Sequence, residues 1–189
     1  MKRIAVFASG NGTNTEGIVN YFEDSELARV SVIFCNRKNA GVVDRARLLG
    51  VRCIVFGKEA LQNGEVLSKL KEHKVDIVVL AGFLLKIPSE ILQEYPDRVI
   101  NLHPALLPDY GGEGMYGMRV HEAVVENEEE ETGITIHYVN DDYDEGEIIF
   151  QEVVDVDYED TPEDVQYKVQ QLEHKHYPEV IEYVIKDLD

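Results

Sequence analysis

Lys2-Arg3-Ile4-Ala5-Val6-Phe7-Ala8, followed at once by Ser9-Gly10-Asn11-Gly12-Thr13-Asn14, decides how the chain is read. The unbroken apolar run Ile4–Ala8 reads as a strand covered on both faces, the kind found inside parallel sheets. Beyond the glycine-bearing turn, Ile18, Val19 and Phe22 fall at helical spacing, which predicts a helix over Thr15–Phe22. A strand, a glycine-rich turn and a helix N-terminus are the parts of an anion site. Glycine lets the backbone approach closely, and free N–H groups with the helix dipole favour phosphate. The turn 9–14 is therefore a candidate phosphate site, to which Thr13 and Asn14 can add side-chain donors. No GK[ST] follows, and Thr15 stands where the third glycine of G-x-G-x-x-G belongs, which disfavours nucleoside triphosphate and NAD. The same residues also suit a plain strand-to-helix turn, and local sequence leaves both uses open.

Outward from this turn the pattern repeats. Strands are predicted at Arg29–Cys35, Val51–Phe56 and Val75–Ala81, and helices at Val42–Leu49, Ala60–His73 and Ser89–Tyr95, the first of these helices stopped by Gly50. Alternation of strand and helix from residue 2 to residue 103 predicts an α/β fold, a mostly parallel twisted sheet with helices on both faces and right-handed crossovers. After His103 the texture changes. Ala105–Gly117 carries four glycines and Pro108 and reads as a long loop, with a helix at Met118–Glu126. Glu128–Glu131 reads as a solvated turn. Gly133–Val139 and Glu147–Val156 read as two more strands, an antiparallel extension in the C-terminal half. Thr161-Pro162-Glu163-Asp164 starts a last helix, expected to bend or break near Pro178 and resume to Ile185. One domain of 1–189 is expected, with 1–100 forming the phosphate-binding half.

Arg98-Val99-Ile100-Asn101-Leu102 is a short apolar strand that His103-Pro104 ends. In open α/β sheets ligands bind at the carboxyl ends of strands, so Asn101 and His103 sit where chemistry is done. Asn101 reads as a hydrogen-bond donor to developing negative charge, and His103 as a proton carrier. A proton-shuttling histidine needs a carboxylate to hold its tautomer and stabilise its cation, and Asp144, in a loop able to fold back, is the candidate. The competing use of Asn101 and His103 is to tie down a turn.

The bulk numbers bound the function. The 189 residues carry 18 basic and 37 acidic side chains, for a net charge of −19. Between Val120 and Tyr167 there are 18 acids and no Lys or Arg. A nucleic-acid surface needs basic neutralisation of phosphates, so none is expected. No apolar run is long enough to span a membrane or serve as a signal peptide. Cys35 and Cys53 lack metal-like spacing and read as free thiols in a reducing cytoplasm. The acids at 141–147 lack calcium-loop spacing, and no H-E-x-x-H or C-x-x-C occurs, so no metal is expected. His73, His121 and His176 read as structural or surface residues.

Six stretches together carry a resemblance: Ser-Gly-Asn-Gly-Thr-Asn (9–14), Val-Val-Leu-Ala-Gly-Phe (78–83), Asn-Leu-His-Pro-Ala-Leu-Leu-Pro (101–108), Gly-Ile-Thr-Ile-His-Tyr-Val (133–139), Asp-Tyr-Asp-Glu-Gly (142–146) and Val-Gln-x-x-Glu-His-x-x-Tyr-Pro (169–178). In order and through nearly the whole chain, they resemble the phosphoribosylglycinamide formyltransferases of the folate-dependent formyltransferase superfamily. The resemblance implies a Rossmann-like formyltransferase fold. It also implies formyl transfer from 10-formyltetrahydrofolate, a cosubstrate, to the amine of glycinamide ribonucleotide in purine biosynthesis. Asn101, His103 and Asp144 would be catalytic; Gly12, Thr13, Asn14, Gln170 and Glu173 would hold the nucleotide. Folate would enter between Phe83, Leu84, Leu85, Lys86 and Ile87 on one side and Val139, Asn140 and Asp141 on the other. Residues 101–189 would form the catalytic and folate-lid half. The partners expected are these two small molecules, in a monomer or homodimer. Transfer to another small amine, such as an amino-sugar nucleotide, or hydrolysis of the formyl folate are the alternatives.

Overall fold

The computed structural model describes residues 1–188. Five parallel strands, β1 (Lys2–Ala8), β2 (Ala28–Cys35), β3 (Cys53–Val55), β4 (Ile77–Leu80) and β5 (Val99–His103), are extended by two antiparallel ones, β6 (Glu131–Tyr138) and β7 (Ile148–Asp155). The sheet order is β3-β2-β1-β4-β5-β6-β7, so the chain reverses its direction of travel across the sheet at β1. The crevice beyond the carboxyl ends of β1 and β4 is the topological switch point, where ligands bind in such sheets.

Alternate side chains of β1 serve two cores. Ile4, Val6 and Ala8 pack with residues of α1 (Thr13–Tyr21), α2 (Gly41–Leu48), α6 (Met118–Glu126) and α7 (Pro162–Lys186). Ala5 and Phe7 pack on the other face with α3 (Lys58–Gln62), α4 (Glu65–Glu72) and α5 (Ser89–Glu94), and Phe7 stacks on Phe34 with ring centroids 4.7 Å apart. The two-faced burial predicted from the apolar run is what covers the sheet.

Three boundaries differ from the sequence reading. The helix expected over Ala60–His73 is two helices, α3 and α4, parted at Gly64, whose φ of 88° no helix accommodates. The strand expected over Val51–Phe56 pairs only at Cys53–Val55, at the sheet edge. The last helix does not break at Pro178: α7 runs unbroken from Pro162 to Lys186. A proline inside a helix costs about 3 kcal/mol. Each fully buried large apolar side chain returns ~1.5–3 kcal/mol, and Tyr177, Val180, Ile181, Val184 and Ile185 are all buried along this stretch. Packing therefore overrides the local breaker. The start of α7 is as read: Thr161 Oγ1 accepts from the Asp164 N–H and the Asp164 carboxylate accepts from the Thr161 N–H, a complete capping box.

Two buried contacts fix what stands over the sheet's open rim. The Tyr177 hydroxyl donates to the Leu80 carbonyl at 2.8 Å, pinning α7 to the end of β4. Thr135 on β6 donates to the Ala105 carbonyl at 2.7 Å and accepts from the Leu107 N–H at 3.0 Å, anchoring the loop that leaves His103. Cys35 and Cys53 are free thiols, and burial pushes the Cys53 thiol up to about 11. Among the described residues no helix is long and apolar enough to cross a membrane.

Candidate active site

A cleft of about 710 Å³ runs along the carboxyl ends of β1, β4 and β5, within the size range of small-molecule sites. Of the residues named from sequence, Gly12, Thr13, Asn14, Phe83, Leu84, Leu85, Lys86, Ile87, Asn101, His103, Val139, Asn140, Asp144, Gln170 and Glu173 all line it. Asp141 does not. Its carboxylate accepts from the Ser89 hydroxyl at 2.6 Å, which turns it outward to tie the loop to α5.

At one end is the glycine turn. Gly12 caps α1 in a left-handed conformation (φ 77°), and a Cβ there would lie 2.5 Å from Val42 Cγ2. Glycine is required on both counts. The first N–H groups of α1 have no partner within the helix, and Thr13 and Asn14, which bear two of them, line the cleft. Ser9 holds the turn's base, its hydroxyl donating to Asn36 Oδ1 at 2.6 Å and accepting from the Leu84 N–H at 3.0 Å. Asn14 Nδ2 donates to Glu173 Oε2 at 2.7 Å, while Asn14 Oδ1 is buried without a partner. Desolvation pushes the Glu173 carboxyl up to about 7, against the pull of that hydrogen bond.

At the centre, Asp144 lies between two buried histidines. His103 Nδ1 is 3.5 Å from Asp144 Oδ2, and His137 Nε2 is 3.5 Å from Oδ1. The Gly112 N–H donates to Oδ2 at 3.0 Å. His103 Nε2 donates to the Tyr110 carbonyl at 2.8 Å, which leaves Nδ1 as the nitrogen free to take a proton, facing the carboxylate. His137 Nδ1 donates to the Tyr138 carbonyl at 2.8 Å, so its Nε2 accepts from Asn101 Nδ2 at 3.2 Å. The other Asn101 N–H reaches Asp144 Oδ1 only at 3.4 Å, a weak bond that a better acceptor displaces. Tyr110 and Asp144, which face the two nitrogens of His103, both hold left-handed backbones, with φ of 55° and 57°. Such conformations in non-glycine residues persist where the surroundings over-determine them, and they cluster at functional sites.

Burial pushes His103 below its ordinary value, outweighing the upward pull of Asp144 and the Tyr110 carbonyl; His137 lowers it further. Burial acts to raise Asp144; His137 and His103, each in its protonated form, and the Gly112 N–H outweigh it and hold the carboxyl below the ordinary value. At neutral pH the pair rests as neutral imidazole beside ionised carboxylate. That arrangement accepts a proton and then stabilises the cation it creates.

His137 and the backbone groups of Tyr110 and Gly112 were missed by sequence reasoning. His137 reaches the centre because β5 and β6 pair with Asn101 opposite His137, a register set by strands 36 residues apart. Its place on the alternating stretch 133–139 carried a signal only once that pairing was known. His121, read as structural, also lines the cleft.

The formyl transferase family model matches residues 2–181. The chain is 41% identical to the chloroplastic phosphoribosylglycinamide formyltransferase of Arabidopsis thaliana over 95% of its own length, and spans 64% of that relative's length. It is 34% identical to phosphoribosylglycinamide formyltransferase of Bacillus subtilis, covering 98% of this chain and 95% of that one. The crystal structure of phosphoribosylglycinamide formyltransferase from Bacillus halodurans superposes with a TM-score of 0.89 at 33% identity, covering 100% of this chain and 97% of the other. With the seven-stranded sheet, the switch-point cleft and these relatives all in agreement, the chain belongs to the formyl transferase family, among its phosphoribosylglycinamide formyltransferases.

Proposed function

We propose that this protein transfers the formyl group of 10-formyltetrahydrofolate to the amine of glycinamide ribonucleotide. The observation that carries the reading is the convergence of Asn101, His103 and Asp144 in the same cleft as the glycine turn. The phosphate lies on the N–H groups of Gly12, Thr13 and Asn14 at the start of α1, where the helix dipole favours an anion. Gln170 and Glu173 on α7 line the path from that turn to the centre. The formyl donor enters between Phe83–Ile87 and the loop that begins at Val139, whose apolar residues pack against the core on the α3–α5 side. Residues 1–100 supply the phosphate half and 101–189 the catalytic and lid half of one domain.

Each catalytic residue does one thing. Asn101 turns its weakly held N–H from Asp144 to the formyl oxygen as negative charge develops there. His103 Nδ1 takes up the proton released by the attacking amine and returns it to the folate nitrogen as the bond from that nitrogen to the formyl carbon breaks. Asp144 stabilises the imidazolium from 3.5 Å and is itself fixed by the Gly112 N–H. His137 holds Asn101 in place from behind. No covalent bond to the protein is required, because the substrate amine is the nucleophile. The site needs no metal, and a cytoplasmic location fits the two free thiols.

The test is absorbance of the deformylated folate with 10-formyltetrahydrofolate present and glycinamide ribonucleotide added or withheld. Product only with the nucleotide supports the reading. Formate release without any amine makes the protein a hydrolase, and turnover with an amino-sugar nucleotide alone moves it to the other acceptor.

A further inference from the structure

His121, on α6, is a cleft histidine that the chemistry above does not use. It is 3% exposed, and among the described residues neither ring nitrogen has a hydrogen-bond partner. Its Nδ1 is sealed from solvent with nothing to bond. An unpaired buried nitrogen is unusual, and with Nδ1 sealed off, Nε2 is the ring nitrogen left to meet what enters the cleft. Every other histidine at the centre is engaged: His103 by the Tyr110 carbonyl, His137 by the Tyr138 carbonyl and Asn101.

Its place in the fold says which substrate it meets. The residues on the proposed folate side, Phe83, Leu85 and Val139, pack against the core of α3–α5. α6 belongs to the opposite face, where Val124 shares the core with α7, and α7 carries Gln166, Gln170 and Glu173 into the cleft. The ionisable group felt by His121 is His103. His121 therefore stands on the nucleotide side, at its reacting end rather than its phosphate end.

The ring's chemistry says what it does there. Burial, with His103 adding to it, pushes the imidazole down to about 4, so His121 is neutral while His103 works. An orphaned buried N–H is rarer in proteins than an under-satisfied acceptor. The sealed Nδ1 is thus the lone-pair nitrogen, and Nε2 carries the hydrogen. We infer that His121 is a substrate-binding residue: its Nε2–H donates to the amide carbonyl oxygen of the glycinamide arm and holds the terminal amine toward His103 and Asn101. This rests on the proposed function and adds to it a group that reads the acyl arm rather than the sugar phosphate. A neutral donor suits the position, because a second cation beside His103 would oppose proton uptake there.

The experiment compares glycinamide ribonucleotide with ribose 5-phosphate, which lacks the arm, as calorimetric ligands for the wild type, His121→Gln and His121→Leu. Loss of one hydrogen bond to a bound ligand predicts about tenfold weaker binding of glycinamide ribonucleotide to His121→Leu. The Gln variant, which keeps an N–H donor, binds within about threefold of wild type, and ribose 5-phosphate binds all three alike. The unliganded Leu variant melts no lower than wild type, because an unpaired buried polar group has been removed. In the wild type itself, the ¹⁵N resonance of His121 Nε2 moves on adding glycinamide ribonucleotide and not on adding ribose 5-phosphate, a readout that does not depend on any variant folding. Equal loss for both ligands in the Leu variant, or an unmoved Nε2 resonance in a wild type that binds the nucleotide, overturns the inference alone. A wild type that binds ribose 5-phosphate but not glycinamide ribonucleotide overturns the proposed function, and this inference with it.

Discussion

Replacing Asp144 by Asn removes one charge and the weak bond that Oδ1 accepts from Asn101 at 3.4 Å. Asn is among the few non-glycine residues at home in a left-handed backbone, so the φ of 57° is kept. Its Oδ1 still accepts from the Gly112 N–H. What disappears is the carboxylate 3.5 Å from His103 Nδ1. At an effective dielectric of about 20, two unit charges at that separation interact by about 5 kcal/mol, or roughly 3.5 pKa units. The Asp144 side chain is 12% exposed, and solvent screening with the remaining amide dipole reduces the expected change to ~1–2 units. The sign follows from His103 working as the unprotonated base. Wild-type kcat/KM is lost as pH falls through the His103 pKa, which burial already holds below its ordinary value. Asp144 pulls that pKa upward, so the Asn variant's acid limb moves to lower pH. The imidazolium formed in the reaction loses its stabiliser, and kcat on the plateau falls by ~10²–10³. Steady-state rates between pH 5 and 9 on both proteins decide it. An acid limb that stays put or rises in Asp144→Asn, or a plateau near the wild-type rate, would refute the assignment of His103 and Asp144 as a coupled pair.

Three further outcomes follow from the geometry. A Cβ on Gly111 would lie 2.5 Å from Leu107 Cδ2 and 3.4 Å from Asp144 Cβ. Gly111→Ala therefore shifts the turn that presents the Tyr110 carbonyl and the Gly112 N–H, and kcat falls about 10²-fold with little change in melting temperature. Asn14→Ala removes the bond to Glu173 and a donor at the phosphate turn; nucleotide affinity drops about tenfold while folate affinity, measured by fluorescence quenching, does not move. Glu173 is pushed up to about 7 by burial, so raising the pH through neutrality puts a negative charge beside the phosphate turn. Wild-type nucleotide affinity weakens across that range, and Glu173→Gln, which stays neutral, binds without that dependence.

The parts of the fold that were legible in the sequence are those set by local pattern. β1 and the glycine turn could be read because burial on two faces demands an unbroken apolar run and the turn demands Gly12. The capping box at Thr161 could be read because its two hydrogen bonds close within four residues. Pro178 misled for the complementary reason: its helix-breaking cost is local, while the burial of Tyr177, Val180 and Ile181 that outweighs it comes from the sheet. Within the site the same division holds. Asn101 and His103 stood out as polar residues closing an apolar strand. His137, on an equally apolar strand, needed the antiparallel register with β5 before it meant anything. The Tyr110 carbonyl and Gly112 N–H have no signature in residue type, since every residue but proline carries both groups. His121 looked like any helical histidine until its lack of partners was visible.

The net charge of −19 sets a final constraint, on how an anionic nucleotide reaches this cleft. Arg37, Lys86 and Arg119 are the basic residues lining it, against Glu113, Asp142, Asp144 and Glu173. Lys86 lies over the Tyr143 ring and Arg119 over the Tyr116 ring, both toward the loops rather than the glycine turn. In the proposed reading the phosphate is held by backbone N–H groups, which act at contact distance and carry no net charge, with Arg37 the remaining basic side chain on the cleft wall. The approach is governed by the opposite term, because exposed acids such as Glu128–Glu131 and Asp157 set a long-range negative field. That field reaches ~30 Å at 0.01 M salt and ~8 Å at 0.15 M. Added salt therefore screens a repulsion, and the association rate of glycinamide ribonucleotide rises between these two concentrations while its dissociation rate, set inside the cleft, barely moves. Stopped-flow binding at the two salt concentrations measures both. An association rate that falls with salt would mean that Arg37 and its neighbours dominate the field at the cleft mouth, and that charge attraction rather than the backbone cradle brings the nucleotide in.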